Sequence, residues 1–433
     1  MLVNPSSSST PPLTERQSRQ SSTLGGRDIL LRSLDVDLTI GNQILLRVLL
    51  CSLSFVVGIS YSSRLQPPTE QSKDAVAAET VAIAAASVFP TQQLAQLSPF
   101  ELPPLPPEPR MTLRLKAVGD MVLGTNYPGN RLHPEPNRLL AGIAPLLQDA
   151  DVVFGNFEST LTQHTIPSKD TRRPNVFAFR TPPSYNQLLQ AAGFTVLNIA
   201  NNHALDFGQQ GFVETGAAIE QAGMQVVGRK GEITYTTLDE LEMTVAWIGF
   251  SYSGQLNAMQ ALQSARSLVK AAQANADMVF ISVHAGAEGT GALRTRNQTE
   301  YFFGENRGNL VEFSRALVNE GADLVLGHGP HVPRALELYQ GKLIAYSLGN
   351  FVGYRTLSTQ AQLGDSLVLE LEFDSEGDLL VGKIHPVRLD RAGIPAPTAN
   401  PATINLMRQL TQSDFPQTPL TIDPDGMIIP QVE

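Results

Sequence analysis

A crowded polar cluster follows an apolar segment at residues 198–208, which read Asn-Ile-Ala-Asn-Asn-His-Ala-Leu-Asp-Phe-Gly. Residues 194–199 are mostly apolar and predict a buried strand, and a helical pattern follows the cluster. In open α/β sheets, side chains at such a strand end converge on a crevice and carry the chemistry. The candidate residues are Asn201, Asn202, His203 and Asp206. They form either a functional cluster or a polar turn in which Asp206 caps the next helix.

The N-terminal part of the chain lacks the pattern of a folded domain. Residues 1–43 are rich in Ser, Thr, Gln and Arg. They are predicted to be a disordered cytoplasmic segment, because they cannot bury enough apolar surface to become ordered. Residues 44–61 form an apolar run. It is barely long enough to cross a bilayer, which takes about 17–25 residues.

Three interpretations of residues 44–61 compete: a signal anchor, a cleaved signal peptide and a buried core helix. The anchor is favoured, because no convincing Ala-x-Ala cleavage site follows closely and the flanking residues are too polar to pack on a core helix. A weak excess of arginine on the N-terminal side places the large domain outside. We therefore expect a single transmembrane helix in the cell membrane and an extracytoplasmic domain.

Residues 62–110 are predicted to be an Ala/Pro-rich linker, in which the Pro-rich run 99–109 enforces extended, polyproline-like chain. The single cysteine, Cys51, lies in the apolar run, so the chain cannot form an intramolecular disulfide. The formal net charge is −10 and no basic patch is evident. These features argue against a nucleic-acid partner.

From residue 111 to about 395, short apolar runs alternate with helical stretches. This texture is typical of a folded α/β domain. Residues 396–433 lack it and are expected to form a loosely docked tail. Residues 294–308, polar and aromatic by turns, are interpreted as an inserted loop or lid.

Polar residues recur where the predicted strands of this domain end. Asn156 and Glu158 lie two residues apart and would point to one side of an extended segment. His328 and His331 lie three apart in a tight turn and can face one metal ion. Four of the seven histidines follow strands, which a purely structural role does not predict. The strand-end candidates outside the first cluster are Asp120, Asn156, Glu158, His284, Glu288, His328, His331 and Asn350.

Together these motifs resemble the CapA (PGA_cap) family of poly-γ-glutamate capsule biosynthesis proteins, within the calcineurin-like metallophosphoesterase superfamily. The resemblance covers residues 111–395 and implies a four-layer α/β/β/α sandwich with a two-metal site at the strand ends. The motifs, in order, are Gly119-Asp120, Asn156-Phe157-Glu158, Ala200-Asn201-Asn202-His203 with Asp206 and Gly208, His284-x-Gly286-x-Glu288, Gly327-His328 with Pro330-His331-Val332, and Tyr346-Ser347-Leu348-Gly349-Asn350-Phe351.

The resemblance also implies roles for single residues. His203 would be the general acid, and Asp206 would either orient it or cap a helix. Two divalent ions, drawn from Mn, Mg, Zn or Fe, are implied. Glu158 would stand where the superfamily has its bridging carboxylate. The implied metal ligands are Asp120, Glu158, Asn202, His284, His328 and His331.

Three positions depart from the family pattern. Val122 stands where the superfamily has a histidine ligand, and Ala285 and Gly329 replace a tryptophan and a histidine. A weaker or single-metal site is therefore an open alternative.

Two functions follow as expectations. The first is a membrane-anchored capsule or exopolymer biosynthesis protein with a phosphoesterase-like hydrolase site, partnered by other synthesis proteins. The second is a non-catalytic polymer-handling or assembly component of the cell envelope that keeps the fold.

Overall fold

The computed structural model describes residues 112–431. The predicted disordered segment 1–43, the predicted anchor 44–61 and the linker 62–110 lie outside the described residues. Within the part that is described, no helix has the length and apolar character needed to cross a membrane.

Twenty strands and seven α-helices are formed by the described residues. The strands are β1 (Leu113–Val122), β2 (Val152–Phe157), β3 (Thr160–Leu161), β4 (Arg180–Thr181), β5 (Val196–Asn198), β6 (Gln225–Val227), β7 (Thr234–Leu238), β8 (Met243–Ser251), β9 (Met278–His284), β10 (Glu300–Phe302), β11 (Glu305–Gly308), β12 (Leu324–His328), β13 (Leu336–Tyr339), β14 (Lys342–Ala345), β15 (Asn350–Gly353), β16 (Asp365–Phe373), β17 (Leu379–Leu389), β18 (Pro395–Pro397), β19 (Leu420–Ile422) and β20 (Met427–Pro430). The helices are α1 (Arg138–Ala141), α2 (Ala144–Leu147), α3 (Asn186–Ala191), α4 (Gly208–Gln221), α5 (Leu262–Gln273), α6 (Leu310–Val318) and α7 (Ala402–Asp414).

Two mixed sheets carry the fold. The larger has ten strands in the order β19-β20-β17-β16-β1-β2-β5-β6, with β15 paired to β1 and β18 to β17. The smaller has six, in the order β13-β14-β12-β9-β8-β7. The strands that lead to the polar clusters, β1, β2, β5, β9 and β12, pair in parallel with their neighbours in this group. The mixed α/β architecture predicted from the sequence is confirmed.

The main core lies between the two sheets. Trp247 on β8 is fully buried and stacks on Phe154 of β2, with ring centroids 4.9 Å apart and ring planes within 3° of parallel. Phe280 on β9 packs edge-on against the same indole at 5.2 Å. Because β1 has neighbours on both faces and both edges, nine of its ten residues are buried. Leu113, Leu115 and Ala117 point into the core between the sheets, and Arg114 and Lys116 alternate with them.

Helices cover the outer face of each sheet. Leu189 of α3 and Ile219 of α4 pack with Val153 and Leu197 on the outer side of the larger sheet. On the smaller sheet, the apolar sides of α5 and α6 pack against β8, β9 and β12. Helix α6 begins after Asn309, whose side chain accepts a hydrogen bond from the Glu312 amide. This order of layers covers both faces of each sheet with apolar side chains.

The prediction of a loosely docked tail after residue 395 is wrong. Strands β18 and β20 pair with β17, and β19 pairs with β20, so this segment completes the larger sheet. Met407 of α7 and Ile428 of β20 are fully buried in the core between the sheets. Strand β20 pairs with β17 across a long stretch of chain, with Gly382 in register with Ile428, and β18 and β19 are only three residues long each. The segment therefore carries little local signal.

Residues 138–147 form two short helices, α1 and α2, instead of one. Pro145 lies in the first turn of α2. Proline has no amide hydrogen to continue a helix, but its fixed φ suits a first turn. The chain therefore restarts its helix at Ala144.

Candidate metal centre

A row of polar side chains crosses the larger sheet at the carboxyl ends of its parallel strands. Asp120 on β1 is in register with Asn156 on β2 and with Asn350 on β15. Asn156 is in register with Asn198 on β5. All four residues are fully buried. Asn198 Nδ2 donates to Asn156 Oδ1 at 2.8 Å, and Asn156 Nδ2 donates to Asp120 Oδ1 at 2.7 Å. The amides therefore fix the orientation of the Asp120 carboxylate.

A close backbone contact brings β15 against β1 beside this row. The Asp120 amide donates to the Gly349 carbonyl at 2.9 Å. A Cβ on Gly119 would lie 1.9 Å from the same carbonyl oxygen. Only glycine permits this approach. This contact is the physical reason for a glycine directly before Asp120.

The smaller sheet presents two imidazoles at the end of its own parallel strands. His284 on β9 is in register with His328 on β12, and both are fully buried. His328 Nδ1 lies 3.6 Å and His284 Nδ1 lies 3.9 Å from Asp120 Oδ1. His284 Nδ1 is also 3.2 Å from Asn156 Nδ2. The strand ends of the two sheets therefore meet at one site.

His331 links the two sides of this site. Its backbone has a left-handed φ of 61°, which is uncommon for a residue with a side chain. The imidazole is held by Asn350 Oδ1 at 2.9 Å and Asp120 Oδ2 at 3.1 Å, both from Nδ1. Its Nε2 lies 3.8 Å from Glu158 Oε1. One atom from each of Asp120, Glu158 and His331 falls within 4.8 Å of the others.

The Glu158 side chain is fully buried in the site, and neither of its carboxylate oxygens accepts a hydrogen bond from any described residue. His284 Nε2 lies 3.6 Å and His203 Nε2 lies 4.0 Å from Oε1. A buried carboxylate without hydrogen bonds is costly unless a cation accompanies it.

Other candidate ligand atoms here are also buried without hydrogen-bond partners among the described residues. These atoms are Asn202 Oδ1, His284 Nε2, and Nδ1 and Nε2 of His328. Carboxylate and amide oxygens together with imidazole nitrogens form a donor set suited to borderline divalent metals. The residues present therefore fit a divalent metal centre.

Burial controls the protonation of two of these histidines. It lowers the pKa of His328 to about 4, although the charge of Asp120 opposes it. Burial likewise lowers the pKa of His284 well below its ordinary value, again against Asp120. Both imidazoles are therefore neutral at pH 7, which is the form that binds a metal.

His331 and the two carboxylates show where positive charge is favoured. Burial lowers the pKa of His331, but Glu158 and Asp120 outweigh burial and raise it to about 10. Burial raises the pKa of Glu158 well above its ordinary value. For Asp120, burial would raise the pKa, but the hydrogen bond and charge of His331 lower it. The raised pKa of His331 shows that Asp120 and Glu158 favour a positive charge beside them.

His203 lies beside this ligand cluster, with Nε2 directed toward Glu158. Its Nδ1 is 2.8 Å from Asp206 Oδ2, and its ring packs 4.4 Å from that of Phe179. Burial lowers the pKa of His203, and the charge of Asp206 opposes this shift. Asp206 makes no capping bond to α4, whose N-cap residue is Phe207. Asp206 was expected either to orient His203 or to cap the helix. The structure has the contact with His203 that the first role requires.

The remaining predicted residues surround the cluster. Glu288 Oε2 lies 3.9 Å from His331 Nε2, and its Oε1 accepts from Arg307 at 2.6 Å. Asn201 Nδ2 donates to the Phe157 carbonyl at 2.9 Å, and its Oδ1 accepts from the His203 amide at 3.0 Å. Asn201 therefore connects the strand that ends at Phe157 to the turn that carries His203.

Sequence reasoning missed several residues that build the site. Asn198 falls inside the predicted strand 194–199 and is not among the predicted site residues, although an Asn within an apolar strand is itself a signal. Arg334 is fully buried and binds Glu300 through two hydrogen bonds of 2.8 and 2.9 Å. This pair attaches the β10–β11 hairpin to the segment after His331. Neither residue of the pair has a sequence pattern that would reveal the contact.

Two of the departures from the family pattern meet in one place. Gly329 has φ of 107°, and a Cβ there would lie 3.0 Å from the Ala285 carbonyl oxygen. Its amide donates to Asp120 Oδ2 at 3.2 Å. Position 329 therefore contributes a backbone N–H group to the site and no imidazole. Val122, the third departure, is the last residue of β1 and is fully buried.

Comparison of the sequence with known proteins identifies a matching protein family. A family model described as "Bacterial capsule synthesis protein PGA_cap" matches residues 114–355. The PGA biosynthesis protein CapA of Bacillus subtilis is 27% identical over 252 residues, which cover 54% of this chain and 62% of that protein. The capsule biosynthesis protein CapA of Bacillus anthracis is 26% identical over 322 residues, covering 69% and 73%. The chain thus spans less than two thirds of the B. subtilis protein.

Two further similarities are weaker. A probable polyglutamine synthesis accessory protein of Mycobacterium tuberculosis is 26% identical over 273 residues, covering 56% of this chain and 67% of that protein. The solved structure of a 5′-nucleotidase precursor from Thermus thermophilus superposes with a TM-score of 0.37 at 13% identity, over 64% of this chain and 54% of that chain. Superposition at this level is too loose to assign a fold or a function.

Proposed function

Because this chain belongs to the bacterial capsule synthesis protein family PGA_cap, we propose that it acts in the synthesis of a capsule or exopolymer of the poly-γ-glutamate type. It does so through a divalent-metal-dependent, phosphoesterase-like hydrolase site on a metallophosphoesterase-like α/β/β/α sandwich. Other proteins of polymer synthesis are its proposed partners, and nucleic acid is not.

One observation carries the hydrolase proposal. Glu158 is fully buried, accepts no hydrogen bond within the described part of the chain, and faces His284, His331 and His203 at 3.6–4.0 Å. A carboxylate kept in this setting without a cation would destabilise the fold. With a divalent ion, the same setting becomes a binding site.

The proposed centre holds two divalent ions. When bound, such ions supply Lewis-acid stabilisation of negative charge and a nucleophilic water at neutral pH. Asn156 and Asn350 keep the ligand side chains Asp120 and His331 oriented through the hydrogen bonds already described. The residues that would hold the ions are Asp120, Glu158, Asn202, His284, His328 and His331.

His203 is the proposed general acid. Its Nδ1 is held by Asp206, so the ring presents Nε2 toward the ligand cluster. A leaving oxygen bound there would receive its proton from Nε2, and Asp206 would stabilise the imidazolium that donates it. Phe179 packs on the imidazole and excludes water from one of its faces.

A non-catalytic role is the second candidate, and Asp120 favours it. Both Asp120 oxygens already have partners within the protein. Oδ1 accepts a hydrogen bond from Asn156, and Oδ2 accepts one from the Gly329 amide and lies 3.1 Å from His331 Nδ1. With Val122 apolar at the position of a superfamily ligand, one ion would be weakly held. In that case the protein would keep the fold for polymer handling or assembly.

Turnover of simple phosphoesters separates these candidates. We expect the purified full chain, loaded in turn with Mn²⁺, Mg²⁺, Zn²⁺ or Fe²⁺, to hydrolyse p-nitrophenyl phosphomonoesters or phosphodiesters with at least one metal. Glu158→Gln should reduce this turnover to background, because it removes the buried charge that holds the ion. Glu370→Gln is the matched control, since Glu370 pairs with His385 and Arg114 away from the site. Metal binding without any turnover would favour the non-catalytic candidate.

The location of the domain is a separate proposal, supported by the apolar run 44–61 and the Pro-rich linker. We expect the chain to be anchored by one membrane-spanning segment with the described domain outside the cytoplasm. Protease added to intact spheroplasts should then remove the domain, as followed by an antibody to it. A domain that stays intact until the cells are lysed would contradict this topology.

A further inference from the structure

The loop between β3 and β4, residues 162–179, lies over the segment that carries His203. Ser168 donates its amide to the Asp206 carbonyl at 2.8 Å. Phe179 donates its amide to Asp206 Oδ2 at 2.6 Å, and its ring packs on His203. This loop has no regular secondary structure, so these contacts fix its position. The proton-transfer group is thus held partly by residues far from the strand ends.

Lys169, in the same loop, contacts this segment through its side chain. Its Nζ lies 2.6 Å from Asp206 Oδ1 in an ion pair. The same ammonium donates to the Asn202 carbonyl at 2.9 Å and to the Phe177 carbonyl at 3.4 Å. Its distance to His203 Nδ1 is 3.5 Å. Lys169 is therefore in contact with the carboxylate that orients His203 and with the residue before His203.

The Asp206 carboxylate is held from both sides. Oδ1 faces the ammonium of Lys169, while Oδ2 faces His203 Nδ1 and the Phe179 amide. Asp206 is fully buried, whereas the Lys169 side chain is 30% exposed. A buried carboxylate needs a counter-charge to remain in place. The ammonium of Lys169 supplies that counter-charge, so it does not have to come from the imidazole of His203.

We propose that Lys169 is a positioning residue for proton transfer by His203, acting by fixing Asp206 and the backbone of Asn202. The inference rests on the proposed hydrolase function. Lys169 acts on the leaving-group side, because the group it orients is the one that protonates the leaving oxygen. A lysine that instead bound the phosphoryl oxygens would affect every substrate to the same degree.

Two substrates with the same phosphoryl group separate these roles. A p-nitrophenyl ester has a leaving group that departs without a proton, whereas an alkyl ester needs one. Lys169→Met should lower kcat for the alkyl ester by roughly 10- to 100-fold, the range for residues that orient functional groups. It should change kcat for the p-nitrophenyl ester and KM for both esters by less than about threefold. Lys169→Arg should restore most of the lost kcat.

Lys342→Met is the matched control. Lys342 is similarly buried, with 21% of its side chain exposed, and its ammonium pairs with Asp323 at 3.0 Å and Asp378 at 2.9 Å. It lies at the start of β14, at the opposite end of the strand from the site. This variant should leave both kcat values unchanged. Equal losses on both esters in Lys169→Met, or no loss on either, would overturn the proposal.

An independent readout does not need turnover. In ¹⁵N-histidine-labelled full chain loaded with Zn²⁺, the ring signals of His203, assigned by their loss in His203→Gln, should show a protonated Nδ1 bonded to Asp206. Lys169→Met should shift or broaden that signal, while Lys342→Met should not. An unchanged His203 signal in Lys169→Met would refute the positioning role. If the wild type turns over no ester with any metal, the hydrolase proposal fails, and this spectrum alone decides the role of Lys169.

Discussion

Replacing His203 with Gln is expected to lower kcat for an alkyl phosphoester by about 10²–10⁴-fold, the usual contribution of a general acid. The imidazole is held by Asp206 at Nδ1 and turns its Nε2 toward Glu158, at the edge of the ligand cluster. Gln keeps a polar side chain at this position but cannot donate a proton as an acid. The loss should therefore appear in kcat rather than in KM.

Metal content is expected to separate this variant from a ligand variant. His203→Gln should bind as much metal as the wild type, whereas His328→Ala should lose metal because it removes an imidazole of the cluster. His385→Gln is the control, since His385 pairs with Glu370 at 2.7 Å within β16 and β17. If His203→Gln retained full turnover of alkyl esters, His203 would not be the acid.

Replacing Trp247 with Ala should lower the free energy of unfolding by about 3–5 kcal/mol, the range for deleting a buried aromatic side chain. Trp247 is fully buried between the sheets, stacked on Phe154 and in edge contact with Phe280. Its removal leaves a cavity in the contact that fixes one sheet against the other. Because the ligand cluster combines strand ends of both sheets, metal affinity should also fall.

Urea unfolding measures this change. It is followed by circular dichroism and not by tryptophan fluorescence, because the variant lacks the chain's single tryptophan. Tyr301→Ala is the control: Tyr301 is 65% exposed, and surface changes alter stability by about 0.5 kcal/mol or less. A loss below about 1 kcal/mol for Trp247→Ala would show that the two sheets do not depend on this contact.

The strand-end residues could be predicted because local signals suffice for them. A short apolar run predicts a strand, and a polar residue after it predicts a position at the sheet edge. Asp120, Asn156, His284 and His328 all follow this rule, and the structure brings them together. The parallel pairing places these residues in register, which is why positions distant in the sequence share one site.

Other contacts could not be predicted because they depend on loops. Lys169 reaches Asp206 from the β3–β4 loop, and the Arg334–Glu300 pair joins a turn to a hairpin. No period or spacing in the sequence determines how such segments lie. The strands after residue 395 were missed for a related reason, because β20 pairs with β17 across a long stretch of chain and β18 and β19 are only three residues long each.

The divalent-metal content of the purified full chain is the most direct test of the metal centre. After loading with Mn²⁺ or Zn²⁺ and extensive dialysis, elemental analysis should find at least one equivalent bound to the wild type. Glu158→Gln, which has nearly the same shape but lacks the charge, should keep far less, because the ion accompanies the buried carboxylate. Wild type and Glu158→Gln that both hold only background metal would contradict the account.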